Sequence, residues 1–246
     1  MLICAVDSSA KAVSVAVVKD GLILGESFVD IPQTHSETLM PMLSGLLELI
    51  GISVSEIQGF AVTVGPGSFT GIRIGIACVK GLAFPFDTPC FPVSTLETIA
   101  QGGIVLEGRT IGAVMDARRN QVYHARFLVK NGVLVRQCPD EAISIEELCG
   151  NYRSLGAEPF LLGDGSLLCH RYFQEQGVKA DLGTPTVRYQ RAANAGILAE
   201  QNWQTTIPKL SPQDLVPVYL RPSQAERERA EREAHSASAE NGSDGS

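Results

Sequence analysis

In the stretch TVGPGSFTGIRIG, Gly65, Gly67 and Gly71 stand where an apolar run gives way to a helix-like one. At such a junction free backbone N–H groups can hold an anion. The spacing is G-x-G-x-x-x-G, which is not the dinucleotide fingerprint, and no Gly-Lys-Ser/Thr follows to make a P-loop. The alternative is a tight strand-to-helix turn with close helix packing. Asp7-Ser8-Ser9 and Asp116-Ala117-Arg118 each close an apolar run and lead into a hairpin pattern. In a two-lobed ATPase such loops face each other. Hydroxyls like those of Ser8 and Ser9 then donate to phosphate, and a carboxylate like that of Asp7 orients a metal-bound water. With Gly163 and Gly165 of FLLGDG, these are the residues by which a nucleotide would be held. The second loop fits poorly, since Ala117 and Arg118 replace the small turn that phosphate needs, and Asp7 also reads as a polar strand end. His35, His124, His170 and His235 show no ligand spacing and no zinc pattern with cysteine or carboxylate. Nucleophile-elbow and H-E-x-x-H motifs are missing. The reading assigns no catalytic residue, no metal ligand and no cofactor.

The elements that would carry these residues follow from periodicity. LICAVDSS reads as a strand, and AVSVAVVKDGLILGESFV as a hairpin turning at Asp20-Gly21. Thr34 stands three residues before Glu37, a capping-box pattern opening the helix ETLMPMLSGLLELI, with Pro41 in its second turn. IQGFAVTV is a continuous apolar strand of the kind buried on both faces. A long helix follows the glycines, then a short strand near Cys90. The second half repeats the order: a strand ending in Asp116, a hairpin turning at Asn131-Gly132, a helix near Ile145, the strand FLLGDG, and helices over 166–176 and 191–203. Tandem βββαβα units predict an α/β protein of two similar lobes. The expected division is an N-terminal lobe over 1–105 and a C-terminal lobe over 106–205. A segment over 206–222 packs on the lobes, and a solvated charged tail fills 223–246.

Two helices are more apolar than one core requires. In the helix after the glycines, Arg73 and Lys80 form one stripe within about 20° of each other, and Ile72, Ile76 and Val79 sit in the apolar remainder. Gly71, Gly75 and Cys78 are expected to form a small-residue face that lets a neighbouring backbone come close. In the preceding helix the apolar arc, which includes Met42, Leu46 and Leu49, spans roughly 180°, where about 100° serves one core. The surplus predicts a helix-on-helix interface with another chain through Met42, Leu46, Leu49, Ile72, Ile76 and Val79. Burial by the chain's own second lobe or C-terminal helix is the competing account.

Composition bounds the rest. The chain has 246 residues, 44% apolar and 19% charged, and a net charge of −7. That charge argues against gripping a nucleic-acid backbone unaided. Six cysteines without C-x-x-C spacing read as reduced thiols. No secretory signal and no run of membrane-spanning length are recognised, so a soluble, cytoplasmic protein without membrane contact is expected.

The blocks ICAVDSSAKAVSVAV, HSETLMPML, AVTVGPGSFTGIRIG, MDARRNQVY and PVYLR together resemble the bacterial TsaB (YeaZ) family, over about residues 1–221. The resemblance implies a two-lobed fold like actin-like ATPases and sugar kinases (ribonuclease H-like), with mixed sheets. It implies a non-catalytic subunit that pairs with the TsaD-like paralogue through its N-terminal helices. That paralogue transfers threonylcarbamoyl to the tRNA adenosine beside the anticodon. A small TsaE-like ATPase joins the complex, and tRNA is met only through that complex. A further reading is a homodimer through the same helices when the TsaD-like partner is absent. The paralogue's two metal-binding histidines correspond to Thr95 and Ile99, neither of which binds metal as histidine does. The rival expectation is an independent ATP-dependent kinase-like enzyme or a peptidase on the same scaffold.

Overall fold

The computed structural model describes residues 1–221. Its first half runs β1 (Leu2–Asp7), β2 (Val13–Lys19), β3 (Leu22–Val29), α1 (His35–Ile50), β4 (Gly59–Gly65), α2 (Phe69–Ala83), β5 (Cys90–Ser94) and α3 (Thr95–Gln101). The second runs β6 (Thr110–Asp116), β7 (Gln121–Lys130), β8 (Val133–Arg136), β9 (Glu141–Ser144), α4 (Ile145–Leu155), β10 (Phe160–Leu162), α5 (Ser166–Glu175), β11 (Asp181–Leu182), α6 (Pro185–Arg188) and α7 (Ala192–Asn202). The sheets are ordered β3-β2-β1-β4-β5 and β11-β10-β6-β7-β8, with β9 pairing β7. In each, an antiparallel meander continues into parallel strands. Matching orders of this kind make the two-lobed actin-like, ribonuclease H-like fold. Both hairpins turn on a pair of left-handed residues, Asp20-Gly21 and Asn131-Gly132, because that geometry matches the strands' right-handed twist.

β1 and β4 are buried on both faces, which explains their unbroken apolar runs. One face of the first sheet packs on α1 and α2, with Leu39, Leu43, Ile72 and Val79 against Val6, Val15 and Phe60. The other packs on α7, where Ala192, Ala195 and Ala199 let the helix sit low on Ala5, Ala16 and Ala61. In return α3 packs on the second sheet, with Leu96, Ile99 and Ala100 against Ile111, Ala113 and Phe127. The lobes thus exchange helices, and a boundary at residue 105 leaves α3 and α7 each packed on the opposite lobe's sheet. The segment after α7 crosses back over the first lobe: Leu210 bridges to Cys90, Leu215 enters the core, and the Val218 amide donates to the Val64 carbonyl.

Local details differ from the sequence expectations. Thr34 caps α1 without a side-chain hydrogen bond; its hydroxyl pairs with Ser36 instead, so the capping box is not formed. The helical stretch Phe69–Phe86 is long and apolar enough to cross a membrane, contrary to the expectation that no such run exists. It lies on the sheet, with Arg73 bonded to Tyr219 and Lys80 to the Gln213 carbonyl. All six cysteines are free. The charged tail falls outside the described residues.

Candidate partner interface and phosphate loops

The glycines at the strand ends serve close approach within the chain. A Cβ on Gly67 would lie 2.2 Å from the Ser9 carbonyl oxygen, and one on Gly71 2.1 Å from that of Ser8. One on Gly75 would lie 2.3 Å from Ser8 Oγ. The neighbour that Gly71 and Gly75 admit is therefore the chain's own β1–β2 loop, and they present no small-residue face to another chain. Ser8 Oγ donates to the Gly71 carbonyl at 2.8 Å, and the Ser9 amide and hydroxyl both donate to Asp7 at 3.1 and 3.0 Å. The hydroxyl donors that a phosphate would use are committed inside the lobe. Asp7 is fully buried, and burial pushes its carboxyl up to about 6, against the opposing bonds from Ser9.

The second lobe repeats this use of glycine. Gly163 has φ 102°, and a Cβ there would collide with the Val114 carbonyl; a Cβ on Gly165 would meet the Asp116 amide at 2.9 Å. Asp164 accepts from the Asp116 amide at 3.1 Å, and burial raises its carboxyl to about 6. Beyond Asp116, three consecutive non-glycine residues, Arg118, Arg119 and Asn120, adopt left-handed φ values of 63°, 54° and 57°. Each costs free energy on the order of 1 kcal/mol. The turn is tied by the Arg118 amide to Asp116 at 2.7 Å and the Ala117 amide to the Gln121 carbonyl.

The helix pair corrects the expected interface set. Ile72 and Val79 are fully buried, and Ile76 and Leu46 nearly so, all within the first lobe's own core. These positions do not reach the surface. The reason is the first sheet: these side chains join one core with its Val6, Val62 and Phe60, to which Leu215 of the C-terminal segment also belongs. Met42 is half-buried, and Leu49 is 83% exposed. Beside Leu49, the two helices turn outward mostly small residues. Pro41, Ser44, Gly45 and Glu48 are exposed on α1, and Ala77 and Gly81 on α2. A Cβ at Gly45 or Gly81 would meet nothing within 4 Å. The helices touch at Cys78 and Met40, whose sulfurs are 3.2 Å apart. These outward residues are small apart from Glu48, and Arg73 of α2 is exposed one turn before Ala77. The signal of this outer face lay in the sequence, since Pro41, Gly45, Ala77 and Gly81 fall opposite the large aliphatics at 100° per residue.

The family model described as TsaD, tRNA N6-adenosine threonylcarbamoyltransferase, matches residues 30–228. A Bacillus subtilis protein named tRNA threonylcarbamoyladenosine biosynthesis protein TsaB is 30% identical over 227 residues, 92% of this chain and 96% of its own length. The chain belongs to the TsaB/YeaZ family. The Escherichia coli TsaB is 35% identical over 167 residues, 67% of this chain and 72% of that relative. The solved structure of YeaZ from Pseudomonas aeruginosa superposes with a TM-score of 0.76 at 28% identity, covering 89% of this chain and 99% of that one. The match to TsaD marks this TsaB-type chain as a paralogue of the transferase. Thr95 and Ile99, where the resemblance implies the paralogue's histidines, are both fully buried on α3. Ile99 packs in the second lobe's core.

Proposed function

We propose that this chain is a non-catalytic subunit of tRNA threonylcarbamoyladenosine biosynthesis that pairs with a TsaD-like transferase through the outer face of α1 and α2. The observation that carries the pairing is the exposed small-residue surface of Pro41, Gly45, Ala77 and Gly81, flanked by exposed Leu49 and Met40. Such a surface lets a second helix pair approach closely and bury apolar area, the geometry of helix-on-helix packing. The names of the B. subtilis and E. coli relatives supply the pathway.

Three features support a subunit without its own chemistry. Ser8 and Ser9 spend their donors internally, Asp7 is sealed from solvent, and positions 95 and 99 hold threonine and isoleucine. The net charge of −7 argues against this chain gripping tRNA alone, so it meets tRNA through the complex. A cytoplasmic setting and a TsaE-like ATPase as a further member are what the family resemblance implies. The test is to mix the purified chain with the TsaD-like protein of the same organism. A stoichiometric complex on size exclusion, and tRNA modification that requires both proteins, is the expected result. Modification by the TsaD-like protein at full rate without this chain would overturn it.

A further inference from the structure

We propose that His124, Cys138 and Glu141 form a binding site for a transition-metal dication of the zinc class in the second lobe. Their sequence spacing hides the set, because the donors come from three places. His124 lies on β7, Cys138 on the connection from β8 to β9, and Glu141 on β9. Antiparallel pairing of β7 with β9 sets His124 opposite Glu141 in register. The ligand atoms of all three lie within 4.8 Å of one another, and His124 Nδ1 is 2.9 Å from Glu141 Oε1. A tetrahedral site with bonds of about 2.0–2.3 Å has ligand–ligand edges of about 3.3–3.8 Å, so small side-chain rotations close the cage.

The surroundings favour a metal in two further ways. His124 Nδ1 donates to Glu141. Because Nε2 is 3.0 Å from the buried Tyr152 hydroxyl, the ring can move its N–H there as an ion displaces that bond and takes the Nδ1 lone pair. The Arg126 amide donates to Cys138 Sγ at 3.1 Å, a bond that stabilises a thiolate. The Cys138 thiol proton leaves to solvent as the metal–sulfur bond forms. Thiolate and carboxylate together neutralise a dication. Nitrogen, sulfur and oxygen donors select zinc and its neighbours over magnesium or calcium. The three donors open on a cavity of about 380 Å³, lined also by Asn151 and Ser154, which leaves room for a water as fourth ligand. Bound metal would fasten β9 and the preceding connection to β7, a role independent of the α1–α2 face.

The test uses the full chain, freed of metal with a chelator, and Co²⁺ as the probe. One equivalent should produce the near-ultraviolet thiolate-to-cobalt charge-transfer band, reversed by Zn²⁺. Cys138→Ser should abolish the band, Glu141→Gln should weaken binding about tenfold or more, and Cys78→Ser should leave both unchanged. Zn²⁺ at a hundredfold excess over its Kd should raise the wild-type Tm by about 5 °C or more. A wild-type chain without the band, or a band that survives Cys138→Ser, would overturn the assignment. Equal Co²⁺ affinity in wild type and Glu141→Gln would remove Glu141 from it.

Discussion

Ser8 and Gly71 are locked together from both sides: the Ser8 hydroxyl donates to the Gly71 carbonyl at 2.8 Å, and the Ser8 carbonyl leaves no space for a Cβ on Gly71. The β1–β2 loop and the first turns of α2 are thus one packed unit. Gly75 completes it against Ser8 Oγ, whereas Gly81 on the same helix faces open space.

Alanine at these glycines should therefore have opposite effects. Gly71→Ala meets the Ser8 backbone carbonyl and forces the helix off the loop, overpacking that costs about 1–3 kcal/mol. Gly75→Ala instead meets the Ser8 hydroxyl, which must turn away and give up its bond to Gly71 at a cost of about 1 kcal/mol. Gly81→Ala gains helix propensity with no clash and should stabilise the isolated chain by about 0.5–1 kcal/mol. Urea midpoints of the three variants check the ranking. Gly75→Ala as stable as Gly81→Ala would contradict the packing described.

Ile76 and Leu49 should separate core from surface. Ile76 is 5% exposed within the core, so Ile76→Glu buries an unpaired carboxylate at a cost of several kcal/mol and should aggregate or melt far below wild type. Leu49→Glu, at an exposed position, should shift the melting temperature little. Thermal melts of both variants decide the point; a well-folded Ile76→Glu would restore that residue to the surface.

Much of this was legible in the sequence, and the misses share a cause. Alternating and continuous apolar runs marked β1, β2, β4 and the hairpins, and the repeat of their order marked two lobes. Periodicity counts apolar residues around a helix but does not say what covers them. Ile72, Ile76 and Val79 looked like surplus, yet they join one core with Val6, Val62 and Phe60 of the first sheet, to which Leu215, far along the chain, also belongs. The exchange of α3 and α7 between sheets is likewise a tertiary fact, set by where the alanines of α7 can sit low. In the sequence Gly65 and Gly67 fit a tight turn better than a phosphate loop. Only the closeness of Val218 and Ser9 shows them serving a close-packed turn.

Asp7 should give a measurable pH signature. Its carboxyl stands near 6 in the folded chain against an ordinary 3.8. The native state therefore keeps a proton that the unfolded chain releases, and this contribution to stability fades as pH rises from about 4 to 6. The full difference corresponds to about 3 kcal/mol. Asp7→Asn does not titrate, so its stability relative to wild type should rise by up to that amount across the window and level off above it. Parallel stability curves for the two proteins would show that Asp7 is not buried as described.

The central claim is that the outer face of α1 and α2 seats the TsaD-like partner, and Ala77→Arg probes it most directly. Ala77 is exposed, so the variant should melt with wild type. A guanidinium at the centre of a small-residue helix contact should weaken association at least tenfold, about 1.4 kcal/mol or more. The measurement is titration calorimetry of wild type and Ala77→Arg against the TsaD-like partner, beside a melting curve of each. The account predicts an unchanged melt with affinity weakened tenfold or more; an unchanged melt with wild-type affinity would contradict it.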